Sequence, residues 1–324
     1  MAGATGYAGQ ELMALLARHP HVDLRAAMSS GEKSKARPMP RLARVWHGEI
    51  EPLDTAKLAR EIDIAFLAVP EDAAADLGAT LLDAGVRVID LSGAFRIKDE
   101  LQRARWYPAT KSLPAGAAYG LVEHYREDVK GAALVACPGC YPTAALLSLL
   151  PLAKAALLDT SAGIIVDAKS GISGAGATPS DRTHFSENHG SVSAYGLFHH
   201  RHVAEMEQEL STDVTFVPHL VPLDRGILET IYARVAPGVT AEHVADALTA
   251  AYAHEPFVRL TGDALPEIKH VAHTNFCDIG WRLDPGSRRL VIVSCLDNLV
   301  KGAAGQALQN FNVACGFDER TALL

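Results

Sequence analysis

Residues 3–18 read GATGYAGQELMALLAR. Gly3, Gly6 and Gly9 recur at every third position and run into a segment with Leu12, Leu15 and Leu16 at helical spacing. A glycine-rich turn that opens a helix lets the backbone approach a pyrophosphate, which the helix N-terminus attracts. The spacing G-x-x-G-x-x-G departs from the dinucleotide fingerprint G-x-G-x-x-G and is a weak signal taken alone. The alternative is a flexible terminus with chance glycines, and the amphipathic helix that follows argues against it. A dinucleotide fold also needs a strand ahead of the loop, and only Met1 and Ala2 precede Gly3. The first, central strand is therefore expected to be missing from the chain, through a start codon placed too late or because the sequence is a fragment.

Downstream of this loop, apolar strands alternate with helical patterns. Strands are expected at 22–28, 63–69, 86–91 and 132–137, and helices at 7–18 and 72–84, the second closed by Gly85. Alternating units of this kind imply a parallel sheet covered on both faces. The second half differs. Strand-like runs fall at 164–168, 214–217, 228–235, 275–283 and 289–295, with Pro285-Gly286 as a hairpin signal between the last two. Helices are expected at 141–156, 203–210, 241–254 and 300–314. This suits an α+β domain with a mostly antiparallel sheet. The boundary is placed near Pro138, and the small-residue-rich last helix (KGAAGQALQ, 301–309) is expected to return to the first domain. The domains are then 1–137 with 297–324, and 138–296.

Composition narrows the function. The chain has 324 residues, 48% hydrophobic and 21% charged, so it can bury a core. No apolar run approaches the ~20 residues of a membrane span, and the first residues lack the layout of a secretory signal. Thirty basic against 38 acidic side chains give a net charge of -8, which disfavours nucleic acid as a partner. A small anionic substrate would need a locally basic pocket. Five cysteines in so long a chain do not make a disulfide scaffold, and a reducing cytoplasm is the expected setting.

Several segments carry candidate chemistry. After the expected strand 22–28, Ser29 and Ser30 lead into Lys33 and Lys35, where an NAD-selective site would carry an acidic residue. Hydroxyls and basic residues there favour a 2′-phosphate, hence NADP; a solvated loop is the alternative. Cys137-Pro138-Gly139-Cys140 separates a strand from the helix 141–156. A redox pair would need a thioredoxin-like context that is absent. Zinc would need a second ligand pair, which Cys277 and Cys295 do not supply, so no metal is expected. The preferred reading is a single nucleophile, Cys140, at a helix N-terminus whose dipole favours the thiolate, with Cys137 buried at the strand end. Such a nucleophile wants an acid/base partner. The run from Tyr195 to His202 holds His199, His200 and His202 around Arg201, suited to gripping an anion. The glycine- and serine-rich loop 169–176 follows a strand, and Arg225 and Arg96 stand on loops after two others. Each arginine alone is a weak signal; together they can make the basic pocket.

Seven segments in order along the chain carry a resemblance: GATGYAGQEL (3–12), LSGAFR (91–96), PGCYPT (138–143), SGISGAG (170–176), HHRHVAEMEQEL (199–210), PHLVPLDRGIL (218–228) and NLVKGAAGQALQN (298–310). The chain closely resembles the N-acetyl-gamma-glutamyl-phosphate reductases of the longer type, the enzymes of arginine biosynthesis. PGCYPT together with H-R-H is specific to that family. The resemblance implies an α/β fold: a Rossmann-type NADP-binding domain, and an α+β catalytic and oligomerisation domain of the semialdehyde dehydrogenase and glyceraldehyde-3-phosphate dehydrogenase kind. It implies Cys140 as nucleophile and His200 as general acid/base, whose protonated form assists the collapse that releases the semialdehyde and restores the thiol. Arg96, Arg201 and Arg225 are the candidates for binding carboxylate and phosphate, with Tyr195 and Glu205 beside them. NADP contacts are implied at Gly3, Thr5, Gly6, Tyr7 and Gly9, at Ser29 and Ser30, at Ser170, Gly171, Ser173 and Gly174, and at Asn298. Cys137 stands where asparagine is common, Val203-Ala204 where Thr-Pro is usual, and Asp224 where a small hydroxyl residue is usual before Arg-Gly. The expected reaction is NADPH-dependent reduction of N-acetylglutamyl 5-phosphate to the 5-semialdehyde by a cytoplasmic homodimer or homotetramer. A related acyl phosphate (aspartyl, or carrier-linked aminoadipyl) and a truncated, inactive relative are the alternatives.

Overall fold

The computed structural model describes residues 1–29 and 36–324. They form two compact units, Met1–Gly139 with Ala303–Leu324, and Cys140–Gly302.

The first unit contains β1 (Ala27–Ser29), β2 (Arg37–Pro38), β3 (Glu49–Pro52), β4 (Ile64–Leu67), β5 (Arg87–Asp90), β6 (Ala118–Tyr119) and β7 (Leu134–Ala136). They form two ladders, β1-β3-β2 and β4-β5-β7-β6, parallel throughout except between β2 and β3. No central strand is expected from the sequence, yet the two ladders are stitched together. Ala2 makes parallel bridges to both Met28 and Leu67. Its N–H donates to the Phe66 carbonyl at 2.9 Å, and its own carbonyl accepts from Ala68 N–H at 2.9 Å. The next residue, Gly3, donates to Met28 at 2.8 Å. One residue thus carries the pairing of a strand and feeds directly into the glycine loop.

The expected strand 22–28 is correspondingly short. Pairing with β3 begins at Ala27 opposite Ile50, so residues 22–26 have no ladder on either side. They line a cavity of about 610 Å³ with Met1, Ile64, Phe66 and Phe311. The helices follow the sequence closely: Tyr7–Leu16, and Glu71–Asp83 with Gly85 left-handed just beyond it. The expected helix 300–314 divides into a wide π-helical turn, Val300–Ala304, and an α-helix, Gly305–Cys315. The α-helix lies in the first unit against the helices Tyr7–Leu16 and Val122–Val129. Its buried amides find partners: Gln306 and Asn310 both donate to the Gly120 carbonyl, at 2.9 and 2.7 Å.

The second unit is a seven-stranded sheet of β8 (Ile164–Gly171), β9 (Ser193–Ala194), β10 (Val214–Val221), β11 (Ile227–Arg234), β12 (Val258–Leu260), β13 (Cys277–Asp284) and β14 (Arg289–Leu296). The order is β12-β13-β14-β11-β8-β10-β9. Only β8/β10 and β12/β13 pair in parallel, which fits the mostly antiparallel expectation. β10 runs four residues past its expected end, through Pro218. The Pro218 carbonyl accepts from Tyr195 N–H at 3.0 Å, so its missing N–H lies on the same side, beyond the short edge strand β9, where no ladder bond is lost. Helix Cys140–Lys154 packs on β11 and β14 and against helices His202–Leu210 and Ala241–Tyr252.

The glycine loop is held by close backbone approach. Gly3 has φ +88°, and a Cβ there would fall on the Ala68 carbonyl; a Cβ on Gly9 would fall on the Gly3 carbonyl. Both obstacles are main chain, with no side chain to rotate aside. Gly9→Ala is therefore expected to destabilise the protein by about 3 kcal/mol, the upper range for overpacking a tight site. Urea unfolding reads this as a lowered midpoint at unchanged slope; an unchanged midpoint would show that the loop yields.

Candidate functional site

The chemistry-bearing residues of the second unit gather at the head of one helix. Cys140 is the first residue of helix Cys140–Lys154, and every residue from 141 to 152 is buried. Pro142 sits in the first turn, where a backbone N–H has no intrahelical acceptor to lose. Cys140 is half-buried. Its neighbour Tyr141 is 2% exposed, and its hydroxyl lies 3.1 Å from that of Tyr195. The charge of a Cys140 thiolate is felt at both tyrosines. Burial is the main cause that raises both phenols, Tyr195 to about 12, so each stays protonated as a donor at neutral pH.

His200 completes the cluster. Its ring centroid is 5.7 Å from Tyr141, 5.6 Å from Tyr195, 5.2 Å from Phe216 and 4.7 Å from His202, each edge-on. Its Nδ1 accepts from His202 N–H at 3.2 Å, which leaves Nε2 as the protonated nitrogen of the neutral ring. Burial, with the Arg182 charge nearby, lowers its pKa to about 4. In the resting chain the ring is therefore neutral at neutral pH and carries its proton on Nε2. Arg182 lies over the Tyr195 ring, its guanidinium carbon 4.7 Å from the centroid.

Some predicted residues sit elsewhere or do other work. Glu205 is fully buried in helix His202–Leu210. Arg225 donates to Asp297 at 3.2 Å, and that carboxylate is wholly buried. Asp224 does not take the Arg225 guanidinium; it accepts from the Arg225 main-chain N–H at 2.9 Å. Arg201 is exposed at the entrance to helix His202–Leu210. Arg96 belongs to the first unit, 6% exposed, and donates to the Leu91 carbonyl at 2.8 Å. Asn298 is a tie within the loops: it accepts from Gly226 N–H at 2.6 Å and donates to Ser173 Oγ at 3.0 Å. Ser170 is buried and Gly171 meets the Arg225 backbone so closely that a Cβ would lie 2.7 Å from it. Gly174 lies beside Ser170 and Asn298.

In the first unit, Gly3, Thr5, Gly6, Tyr7 and Gly9 form the turn into helix Tyr7–Leu16. Gly6 caps it with no side-chain hydrogen bond, and Gln10 braces the Thr5 carbonyl at 2.9 Å. Ser29 ends β1 and is buried; Ser30 lies outside the described residues. Cys137 is buried directly after β7, near the Asn310 amide at 3.6 Å, and burial pushes its thiol up to about 12. Among the described residues no group of three or more histidines, cysteines or carboxylates is placed so that it could hold a metal ion. Tyr141, Phe216 and Arg182 were not singled out from the sequence. Tyr141 was adjacent to the cysteine and detectable; Arg182 sits in a polar loop with no signal of its own.

Residues 1–132 match the semialdehyde dehydrogenase NAD-binding domain and residues 140–298 its dimerisation domain. The chain is 44% identical to a protein of Desulforapulum autotrophicum named N-acetyl-gamma-glutamyl-phosphate reductase, over 100% of this chain and 96% of that one. The chain belongs to the N-acetyl-gamma-glutamyl-phosphate reductase family. A reductase of that name from Bacillus subtilis is 43% identical over 99% of this chain and 96% of its own. The fold is shared more widely. Aspartate semialdehyde dehydrogenase II of Vibrio cholerae superposes with a TM-score of 0.73 at 18% identity, over 97% of each chain. The aspartate semialdehyde dehydrogenase of Candida albicans, solved with NADP, gives 0.66 at 16% identity over 96% of this chain and 97% of that one.

Keeping His200 neutral links the site to stability. Its pKa falls from 6.5 to about 4 on folding, so the unfolded chain binds the extra proton between those values. The stability it contributes is complete above pH 6.5 and is lost as pH falls through 4, about 3 kcal/mol in all. His200→Gln removes that slope. Urea titrations at pH 7 and pH 4.5 are expected to show a smaller stability difference for the variant than for the parent; equal differences would mean the ring titrates normally.

Proposed function

We propose that the protein reduces N-acetylglutamyl 5-phosphate to N-acetylglutamate 5-semialdehyde with NADPH, releasing phosphate through a thioester on Cys140. What carries this reading is a single combination: a chain 44% identical along its whole length to a reductase of this family, with Cys140 and His200 in one tyrosine-lined cluster.

The Cys140 sulfur attacks the acyl carbon. A C–S bond forms, the bond to the phosphate oxygen breaks, and phosphate departs with the thiol proton. Neutral His200 offers Nε2–H to the carbonyl oxygen as charge gathers there. The Tyr141 and Tyr195 hydroxyls, held protonated by burial, are further donors at the site. When bound, NADPH supplies a hydride, for which a thioester is a better acceptor than a carboxylate. Cleavage of the C–S bond releases the aldehyde with sulfur leaving as thiolate, and the thiolate takes its proton from solvent, the one proton that the overall reduction consumes. Arg201 is assigned to the substrate's anionic groups. Arg225 is too closely tied to Asp297 to be more than a secondary contact.

The glycine loop fits a dinucleotide. Gly3 and Gly9 leave no room for a Cβ, and the first turn of helix Tyr7–Leu16 has no side-chain cap. Gly3, Thr5, Gly6, Tyr7 and Gly9 are assigned to the pyrophosphate and Ser29 with Ser30 to the 2′-phosphate. Ser170, Gly171, Ser173, Gly174 and Asn298 form the corresponding loop of the second unit. A homodimer or homotetramer is assigned, supported by the dimerisation-domain match and by Ile165 and Tyr232, register partners that are 43% and 44% exposed on the sheet. Among the described residues no helix is long and apolar enough to cross a membrane; the assigned location is the cytoplasm.

The reverse reaction tests this directly. With N-acetylglutamate semialdehyde and NADP, the protein is expected to form NADPH only when inorganic phosphate is present. Cys140→Ser is expected to lower turnover by at least about 10³-fold, since the weaker hydroxyl nucleophile replaces the thiol. Phosphate-independent turnover, or a fully active serine variant, overturns the mechanism.

A further inference from the structure

An anionic substrate approaching a chain of net charge -8 needs a local cation, and most basic side chains of the second unit are already committed. Lys169 pairs with Asp167 at 2.6 Å, Arg225 with Asp297 at 3.2 Å, Arg259 with Asp278 at 2.6 Å and Arg288 with Asp159 at 3.5 Å. Lys301 is fully buried, over the Phe257 ring. Arg182 differs. It is exposed, and among the described residues no carboxylate pairs with it. Its guanidinium lies 4.7 Å from the Tyr195 ring centroid, whose hydroxyl is 3.1 Å from that of Tyr141, the residue next to Cys140. A guanidinium held over a ring face by cation–π attraction still has N–H donors to offer an oxyanion. Its charge is also felt at His200, which places it within electrostatic reach of the reacting groups. Nothing in the sequence pattern marks Arg182; its position over Tyr195 does.

We propose that Arg182, stacked on Tyr195, is a substrate-binding residue of this site that takes an oxyanion of the substrate, carboxylate or phosphate. The inference rests on the reductase reading, and it deepens it: discrimination for an acidic acyl phosphate over a neutral one is assigned to this arginine.

Two measurements test it. The first is alkylation of Cys140 by iodoacetate and by iodoacetamide, followed on the Cys140 peptide by mass spectrometry. Each forms the same kind of C–S bond with loss of iodide, but only iodoacetate carries a carboxylate. The ratio of the two rates therefore reports the local cation and cancels any change in the thiol itself. Arg182→Ala is expected to lower that ratio about tenfold, the loss of one charge-assisted contact, and Arg182→Lys to retain part of it. The second is steady-state kinetics of the reverse reaction. There the carboxylate of the semialdehyde and the inorganic phosphate are separate substrates, so the KM that rises identifies the oxyanion held. The KM for NADP is expected to stay unchanged. An unchanged alkylation ratio with both anionic KM values unchanged overturns the proposal. A lowered ratio in a protein that shows no reductase activity upholds the anion site and overturns the reductase reading instead.

Discussion

Helix Cys140–Lys154 has no solvent face: its residues 141 to 152 are all buried, on the sheet and against two further helices. A helix packed on every side cannot roll or slide without opening voids along its length, and interiors tolerate few of those. The position of its first residue is thus set by the packing of the rest, and Cys140 inherits the rigidity of a core. Gly302 tightens this further, for a Cβ there would lie 2.7 Å from the Cys140 Cβ. The main chain at 302 acts as a wall behind the cysteine that no other residue type can form. A half-exposed nucleophile on a loop would sample many orientations; here the main chain that carries the thiol is fixed.

That rigidity gives meaning to the aromatic groups around it. Tyr141 is carried by the same helix turn as the cysteine, and its hydroxyl meets Tyr195 from a different segment. His200 then packs edge-on against both rings and Phe216. Edge-to-face contacts fix ring orientation as well as distance, so the imidazole cannot spin. The bond from His202 N–H to Nδ1 selects the tautomer. Desolvation by the same rings keeps it neutral. One packing arrangement therefore decides which nitrogen carries the proton, where it points and over what pH range it stays there.

Much of this was legible from the chain because the relevant signals are local. Gly85 ends helix Glu71–Asp83 as a left-handed C′ residue, and Pro142 marks the first turn of helix Cys140–Lys154, both readable within a few residues. The errors lie where long-range pairing decides. β1 is three residues rather than seven, because its length depends on partners at Ala2 and Ile50. β10 continues through Pro218 because the missing donor faces past the end of a two-residue edge strand, which no local rule can foresee. The arginines show the same limit. A sequence can nominate Arg96, Arg201 and Arg225 as cations, but only the structure reveals that Arg225 is paired with the buried Asp297.

The pair Asp297-Asn298 explains how Arg225 is held. Asp297 is wholly buried and accepts from four groups: Leu299 N–H at 2.8 Å, Val300 N–H at 3.1 Å, His273 N–H at 2.6 Å and Arg225 at 3.2 Å. Asn298 beside it ties Gly226 to Ser173. A buried carboxylate is costly unless it is fully hydrogen-bonded and paired, and with these partners it becomes a rigid junction. The junction sets the loop 170–176 against the turn at 224–226, and Arg225 supplies the charge that makes burial of Asp297 tolerable. Drawing Arg225 away to bind a substrate anion would leave that carboxylate unpaired. The site is therefore better served by a cation with no such duty, held by a π-face instead of a carboxylate.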